Sequence, residues 1–202
     1  MHFNRSKKAQ VPEEKGSWKK DLKLYLHDLV MYVSVIMVVF LLLFRIIVVS
    51  GDSMNATLLD GDYLLLISNI FCGDPEQGDI VVISKEKFDH GAPVVKRIIA
   101  TEGQIVDIDF ENGIVYVDGL PLDEPYVNTP TNRQEGMAFP ILVEKGCYFV
   151  LGDNRNNSKD SRHPDIGLVD RREILGKAIL LVLPGTDDGM VPRDYGRIGA
   201  IE

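Results

Sequence analysis

The sequence has 202 residues, 45% of them hydrophobic and 26% charged, with two cysteines and a net charge of −8 at pH 7. That length suits one folded domain with an appendage. So acidic a chain argues against nucleic acid as a partner, because phosphate contacts need clustered Lys and Arg. Cysteines 75 residues apart give no disulfide framework.

The charge is uneven. Residues 1–28 hold seven Lys/Arg and four Asp/Glu, a balance of +3, and the rest hold 15 basic and 26 acidic residues, a balance of −11. Residues 1–21 are polar and aperiodic and read as a mobile tail. From Leu29 to Phe44 run 16 uncharged residues, short of the roughly 20 that cross a bilayer core. Arg45 can snorkel to the headgroups, which lets the apolar run continue through Ile46-Ile47-Val48-Val49. Residues 22–49 therefore read as a transmembrane anchor helix with an extended exit. The basic N-terminal flank places the N-terminus in the cytoplasm and the domain outside, a single-pass protein of the cell membrane. A cleavable secretory signal explains the same basic front. A cut near its end would remove or fray the block that begins at Ser50. A buried core helix is a third reading, but nothing downstream offers helices to pack on it.

Everything after Ser50 reads as β. Tyr63–Ile67, Asp79–Ile83 and Val94–Ala100 are short apolar runs, the first two bounded by Gly and Pro. Gln104–Phe110 alternates apolar with polar and meets Gly113–Val117 across Glu111-Asn112, a hairpin pattern. Residues 121–138 are rich in Pro, Asn and Thr and read as a long loop. Cys147–Leu151 and Ala178–Leu183 are further strands. Many short strands separated by turn residues predict an antiparallel barrel or sandwich over residues 50–184. Cys72 and Cys147 each sit beside an apolar segment and read as small buried hydrophobes, with pairing left open. Residues 185–202 carry no pattern.

Three segments carry chemistry. The first is Ser50-Gly51-Asp52-Ser53-Met54-Asn55-Ala56-Thr57-Leu58, a turn that presents a serine just after the apolar run. A hydroxyl is protonated at neutral pH, so Ser53 needs a base as a nucleophile; otherwise it is a turn or N-cap serine. The second is Val94-Val95-Lys96-Arg97-Ile98-Ile99. In a strand, Lys96 shares a face with Val94 and Ile98, and Arg97 points to the other. An apolar face is what a lysine base requires. At its ordinary pKa of about 10.4 only roughly one molecule in 2,500 is neutral at pH 7, and burial lowers that pKa. An edge-strand lysine that discourages aggregation is the plainer reading. The third is Gly152-Asp153-Asn154-Arg155-Asn156-Asn157-Ser158-Lys159-Asp160-Ser161-Arg162, a surface loop unless its polar groups have a task. Of the four histidines, His2 and His27 lie on the N-terminal side and His90 in a loop; His163, just after the third segment, leaves a helper role open. No Cys/His/Asp spacing marks a metal site, and no Gly-rich segment has phosphate-binding spacing.

These three segments, in this order after an apolar anchor, resemble type I signal peptidase, the short Gram-positive-like form. The resemblance covers roughly residues 30–184. It implies a mainly β domain with a coiled, barrel-like antiparallel sheet, tethered by one N-terminal transmembrane helix. It implies a membrane-bound serine endopeptidase with Ser53 as nucleophile and Lys96 as general base, working without a cofactor. Its substrate would be the signal-peptide region of exported preproteins, cut after small residues at −1 and −3, and its other partner the lipid bilayer. Carried over, Ser158 would hydrogen-bond the Lys96 amine, and Asp153, Arg155, Asp160 and Arg162 would form supporting ion pairs. The substrate would add as a strand between residues 49–51 and 93–95, with Val49, Gly51 and Val95 in contact and the two valines lining the small pockets. Two departures stand out. Ala56 replaces the family's usual proline, which questions the stiffness of the turn. Gly51 stands where some members place a serine as second oxyanion donor, beside the Ser53 N–H. Two rival functions are a Ser-Lys protease of the self-cleaving repressor kind, which would lack the anchor, and an inactive membrane-anchored binding module of the same fold.

Overall fold

The apolar run divides into two structures. In the computed structural model, which describes residues 17–186 and 192–201, Ser17–Leu43 is one α-helix (α1) and Phe44–Val48 is a strand (β1). Its partner is β2 (Tyr63–Ser68), antiparallel, with Phe44 opposite Ile67 and Val48 opposite Tyr63. Of the expected anchor over 22–49, the helical part ends at Leu43, the extended exit is β1, and the helix starts before residue 22. Ile46-Ile47-Val48 are β-branched, and a backbone ladder with β2 outweighs a helical continuation. Arg45 lies in the ladder opposite Leu66, so the helix does not run past it. Residues 17–21, expected in the tail, are the first helical turns; residues 1–16 of that tail lie outside the described residues.

Trp18–Leu43 contains an 18-residue window with a mean hydropathy of 2.3 and is long and apolar enough to cross a membrane. At 1.5 Å per residue these 26 residues run about 39 Å, of which the uncharged stretch from Leu29 supplies about 22 Å and the charged first turns reach the headgroups beyond the ~30 Å bilayer core. Its large apolar side chains are exposed. From Leu29 onward the helix carries no charge on any face, which suits lipid and not a surface position in water.

The rest of the chain is strand and loop. In chain order come β3 (Ile80–Ile83), β4 (Val94–Ala100), β5 (Ile105–Asp109), β6 (Ile114–Val117), β7 (Leu120–Pro121), β8 (Ile141–Leu142), β9 (Cys147–Leu151), β10 (Val169–Asp170), β11 (Ile174–Leu183) and β12 (Gly199–Ala200). One curled sheet runs β1-β2-β11-β3-β4-β9-β10, with β12 on β11, and a smaller one runs β7-β6-β5-β8. Every pairing is antiparallel. The expected class, mainly β with one N-terminal helix, is the observed one. The predicted hairpin is β5–β6, with Asp109 opposite Ile114. Its turn is held by Asp109 Oδ1, which accepts from the Glu111 and Asn112 N–H groups.

Three apolar clusters support β4. Val49, Met54, Leu58, Leu64, Leu66, Val82 and Val95 form one. Ile99, Val106, Phe149 and Leu151 belong to a second, under the small sheet. Ile98, Val81, Val150 and Ile166, with Val94 against them, form a third. The predicted loop over 121–138 is irregular after Pro121 and returns toward the third chemical segment. Cys72 and Cys147 are free thiols and only half-buried, more open than core hydrophobes. Residues 192–201 are not an unattached tail: Ala200 pairs with Leu180 and Gly199 with Leu181.

Candidate active site

The turn after β1 is closed on itself. The Val49 N–H donates to the Asp62 carbonyl at 2.8 Å, and the Gly61 N–H to the Val49 carbonyl at 2.9 Å. Met54 and Leu58, 1% exposed each, plug the turn into the first cluster. Ser53 is held just ahead of the Met54 plug. Its N–H has no acceptor among the described residues.

Lys96 reaches the same place from β4. It is 2% exposed. Its Nζ donates to Ser53 Oγ at 2.8 Å and to the Val95 carbonyl at 2.9 Å. Burial pulls its pKa from 10.5 down to about 8, against Asp160 and Asp153, which favour the charged form; Arg162 adds to the lowering. At pH 7 roughly one amine in ten is then neutral. Once neutral, the amine can accept the Ser53 proton across the same contact.

The third segment docks onto this turn. The Asn154 N–H donates to the Ser53 carbonyl at 3.0 Å, and Asn154 Nδ2 to the Asp52 carbonyl at 3.0 Å. Asp153 accepts from Arg97 through both carboxylate oxygens, at 3.0 and 2.8 Å, and from Thr57 Oγ1 at 2.6 Å. Arg162 forks onto Asp160 at 2.8 Å on each side, and Asp160 accepts the Gly152 N–H at 3.1 Å. Arg155 pairs with Glu124 and donates to Thr131 Oγ1 at 3.0 Å. Tyr126 lies under the Arg97 guanidinium, 4.0 Å from ring centre to Cζ, and burial, then Glu124, raises its phenol pKa. A Cβ on Gly152 would come within 2.2 Å of Ser158 Oγ and 2.5 Å of the Ser53 carbonyl. Only glycine lets these two strands of chain meet.

One expected contact is corrected. Ser158 Oγ is buried without a hydrogen-bond partner; the Lys96 amine bonds the carbonyl of its own neighbour Val95 instead. An ammonium has three donors, and the two bonds to Ser53 Oγ and the Val95 carbonyl leave the Ser158 hydroxyl unused.

A cavity of about 320 Å³ opens beside Ser53, lined by Val48, Val49, Ser50, Met54, Pro93 and Val95 among others. Val49 and Val95 are in its wall, while Gly51 is not. The Gly51 N–H is taken by Asp60 Oδ1 at 2.8 Å, so it is no free oxyanion donor. Larger clefts, such as the one of about 410 Å³ at Cys147 and Arg171, hold no serine–lysine pair. Among the described residues no group of three or more His, Cys, Asp or Glu is gathered as metal ligands would be. Arg97, Thr57, Glu124 and Tyr126 were not singled out from sequence. Only Arg97 gave a signal, as a second cation in an apolar strand that must find a carboxylate.

The profile of the family described as Signal peptidase, peptidase S26 matches residues 22–183. This chain belongs to that family. Signal peptidase I of Bacillus licheniformis is 32% identical over 86% of this chain and 96% of its own length. Signal peptidase I S of Bacillus subtilis (strain 168) is 32% identical over the same shares. A signal peptidase I crystal structure from Enterococcus faecalis V583, 30% identical, covers 52% of this chain and 96% of that one with a TM-score of 0.42. Membership in the signal peptidase family makes the chain a peptidase of signal-peptide processing, and its N-terminal helix fits a membrane anchor.

Proposed function

We propose that the chain is a Ser-Lys endopeptidase that removes signal peptides from preproteins at the outer face of the membrane, after small residues at −1 and −3. The observation that carries this reading is the 2.8 Å contact between Lys96 Nζ and Ser53 Oγ at a lysine 2% exposed. The neutral amine takes the Ser53 proton as Oγ attacks the −1 carbonyl carbon, and the Ser53 N–H steadies the oxyanion. The resulting ammonium returns the proton to the leaving amine. Water, activated by Lys96, then releases the acyl group from Ser53. Asp153, Asp160, Arg155 and Arg162 fix the loop that carries no chemistry itself but holds the turn. The substrate lies extended between residues 49–51 and 93–95, with small side chains in the cavity walled by Val49 and Val95. The N-terminal flank is cytoplasmic and the sheet domain lies outside.

An inactive binding module of the same fold is the rival. A lysine held down from 10.5 to about 8 by burial costs the fold about 3 kcal/mol, a burden that a module without chemistry has no reason to carry.

Two measurements test the reading. With the full chain in detergent and a preprotein as substrate, kcat/KM is expected to climb with pH through about 8. The neutral form is the active one, and it is the depressed lysine that deprotonates there. A profile flat from pH 6 to 9 would remove Lys96 as the base. In the same assay Ala at −1 is expected to be cut and Phe refused, because a filled wall excludes a large ring far more strongly than one methylene is discriminated. Val95→Ala is expected to relax that refusal and keep cleavage after Ala. Equal cleavage after Ala and Phe by the wild type would overturn the assignment of the cavity.

A further inference from the structure

The segment 192–201 touches the candidate nucleophile turn from outside the three chemical segments. Arg197, 22% exposed in its side chain, places its guanidinium on Asp62, whose side chain is fully buried. NH1 donates to Asp62 Oδ1 at 3.0 Å and NH2 to Oδ2 at 2.7 Å. NH2 also donates to the Thr57 carbonyl at 3.3 Å. Asp62 in turn accepts the Leu59 N–H at 2.8 Å and the Gly185 N–H at 2.6 Å. At Gly185 a Cβ would fall 2.0 Å from the Asp60 carbonyl, so the chain just beyond β11 presses directly on the base of the turn. Thr57 is four residues beyond Ser53, and its hydroxyl bonds Asp153. One guanidinium therefore joins the segment that carries β12, the closing carboxylate of the turn, and the residue that links the turn to the third segment.

We infer that residues 192–201 form a clasp and that Arg197 is a positioning residue for Ser53, acting through Asp62 and the Thr57 carbonyl. This rests on the proposed serine chemistry. Arg197 touches neither Ser53 nor the cavity that would hold the substrate, so its loss acts through the turn and falls on the placement of the nucleophile more than on binding. A misplacement of about 1 Å can cost on the order of 100-fold.

The test compares Arg197→Met, Arg197→Lys and Arg197→Ala with the wild type, as full chains in detergent. Arg197→Met is expected to lower kcat by about 10- to 100-fold with KM changed less than about twofold. Arg197→Lys keeps a cation beside Asp62, so the chain folds. A single ammonium cannot span both carboxylate oxygens and Thr57, so its loss in kcat is expected to be intermediate. Added guanidinium is expected to restore part of the kcat of Arg197→Ala. Hydrogen exchange supplies a readout free of activity: the Leu58 N–H, which bonds the Met54 carbonyl, is expected to exchange at least about 10-fold faster in Arg197→Met, with the β5–β6 hairpin unchanged. Wild-type kcat in Arg197→Met, a loss confined to KM, or an unchanged Leu58 exchange rate would each overturn the clasp. So would a loss of kcat that tracks global unfolding and ignores guanidinium. If the wild type cleaves no preprotein, the functional reading falls, and Leu58 exchange still decides the clasp.

Discussion

Lys96→Ala and Ser53→Ala are each expected to lower kcat by at least ~10³-fold, with the double mutant no worse than either. Groups that act as one chemical unit fail together, and their losses do not add. The 2.8 Å contact between them is the unit. Lys96→Arg should not rescue, although it keeps the charge and nearly the length. A guanidinium stays protonated at every pH the fold survives and accepts no proton. Steady-state cleavage of a preprotein by purified full-length variants, each first shown to be folded, reads the effect. Activity within about tenfold of wild type in any of the three single variants would dissolve the pairing.

The second large effect falls on stability. Arg97 and Asp153 form a forked pair whose side chains are 2% and 0% exposed. Removing one partner leaves a buried charge without its counter-ion, a loss of ~3–5 kcal/mol. For a chain of this size that lowers Tm by roughly 10 °C. Arg97→Met and Asp153→Ala are both expected to show it in thermal unfolding of the detergent-solubilised chain. Asp153→Ala should be the worse, since it also strips Thr57 of its acceptor. The double variant Arg97→Met/Asp153→Leu should recover much of the loss, because an apolar pair asks nothing of solvation. Single variants as stable as wild type, or a double variant as damaged as the sum of both, would show the pair to be ordinary surface charge in effect.

The parts of the fold that rest on local pattern were legible from residues alone. The β5–β6 hairpin shows itself through strict alternation and an intervening polar turn. Lys96 stands out as a cation between Val94 and Ile98, whereas Ser53, in a polar turn, is marked only by the family resemblance of its segment. What local pattern cannot carry is the identity of a distant partner. Arg97 was visible as a cation in a strand, but its acceptor lies 56 positions away, and nothing in the intervening sequence points to Asp153. Glu124, Tyr126 and Thr131 hide in an aperiodic loop whose contacts exist only after the third segment docks. The point where α1 gives way to β1 is hidden for a different reason: Leu, Ile and Val serve a lipid-facing helix and a paired strand equally well, and only the ladder to β2 decides between them. The Ser158 contact that the family resemblance implies turns on a side-chain rotamer that no sequence displays.

The helix passes into β1 without a linker: Leu43 is its last residue and Phe44 the first of the strand. Five residues of chain, Phe44–Val48, therefore separate the end of the span from Val49, a contour of at most ~20 Å, and β1 cannot stretch because it is laddered to β2. On the proposed topology this sets a ruler. A preprotein whose apolar core ends at the same membrane surface must bring its scissile bond up to a domain kept within that contour of the surface, in extended form at ~3.3 Å per residue. That contour equals a spacer of about six extended residues between the core and the cut. Chains with a much longer or shorter spacer would present the wrong bond, so the anchor's junction selects where along a substrate the blade falls, before any side chain is read.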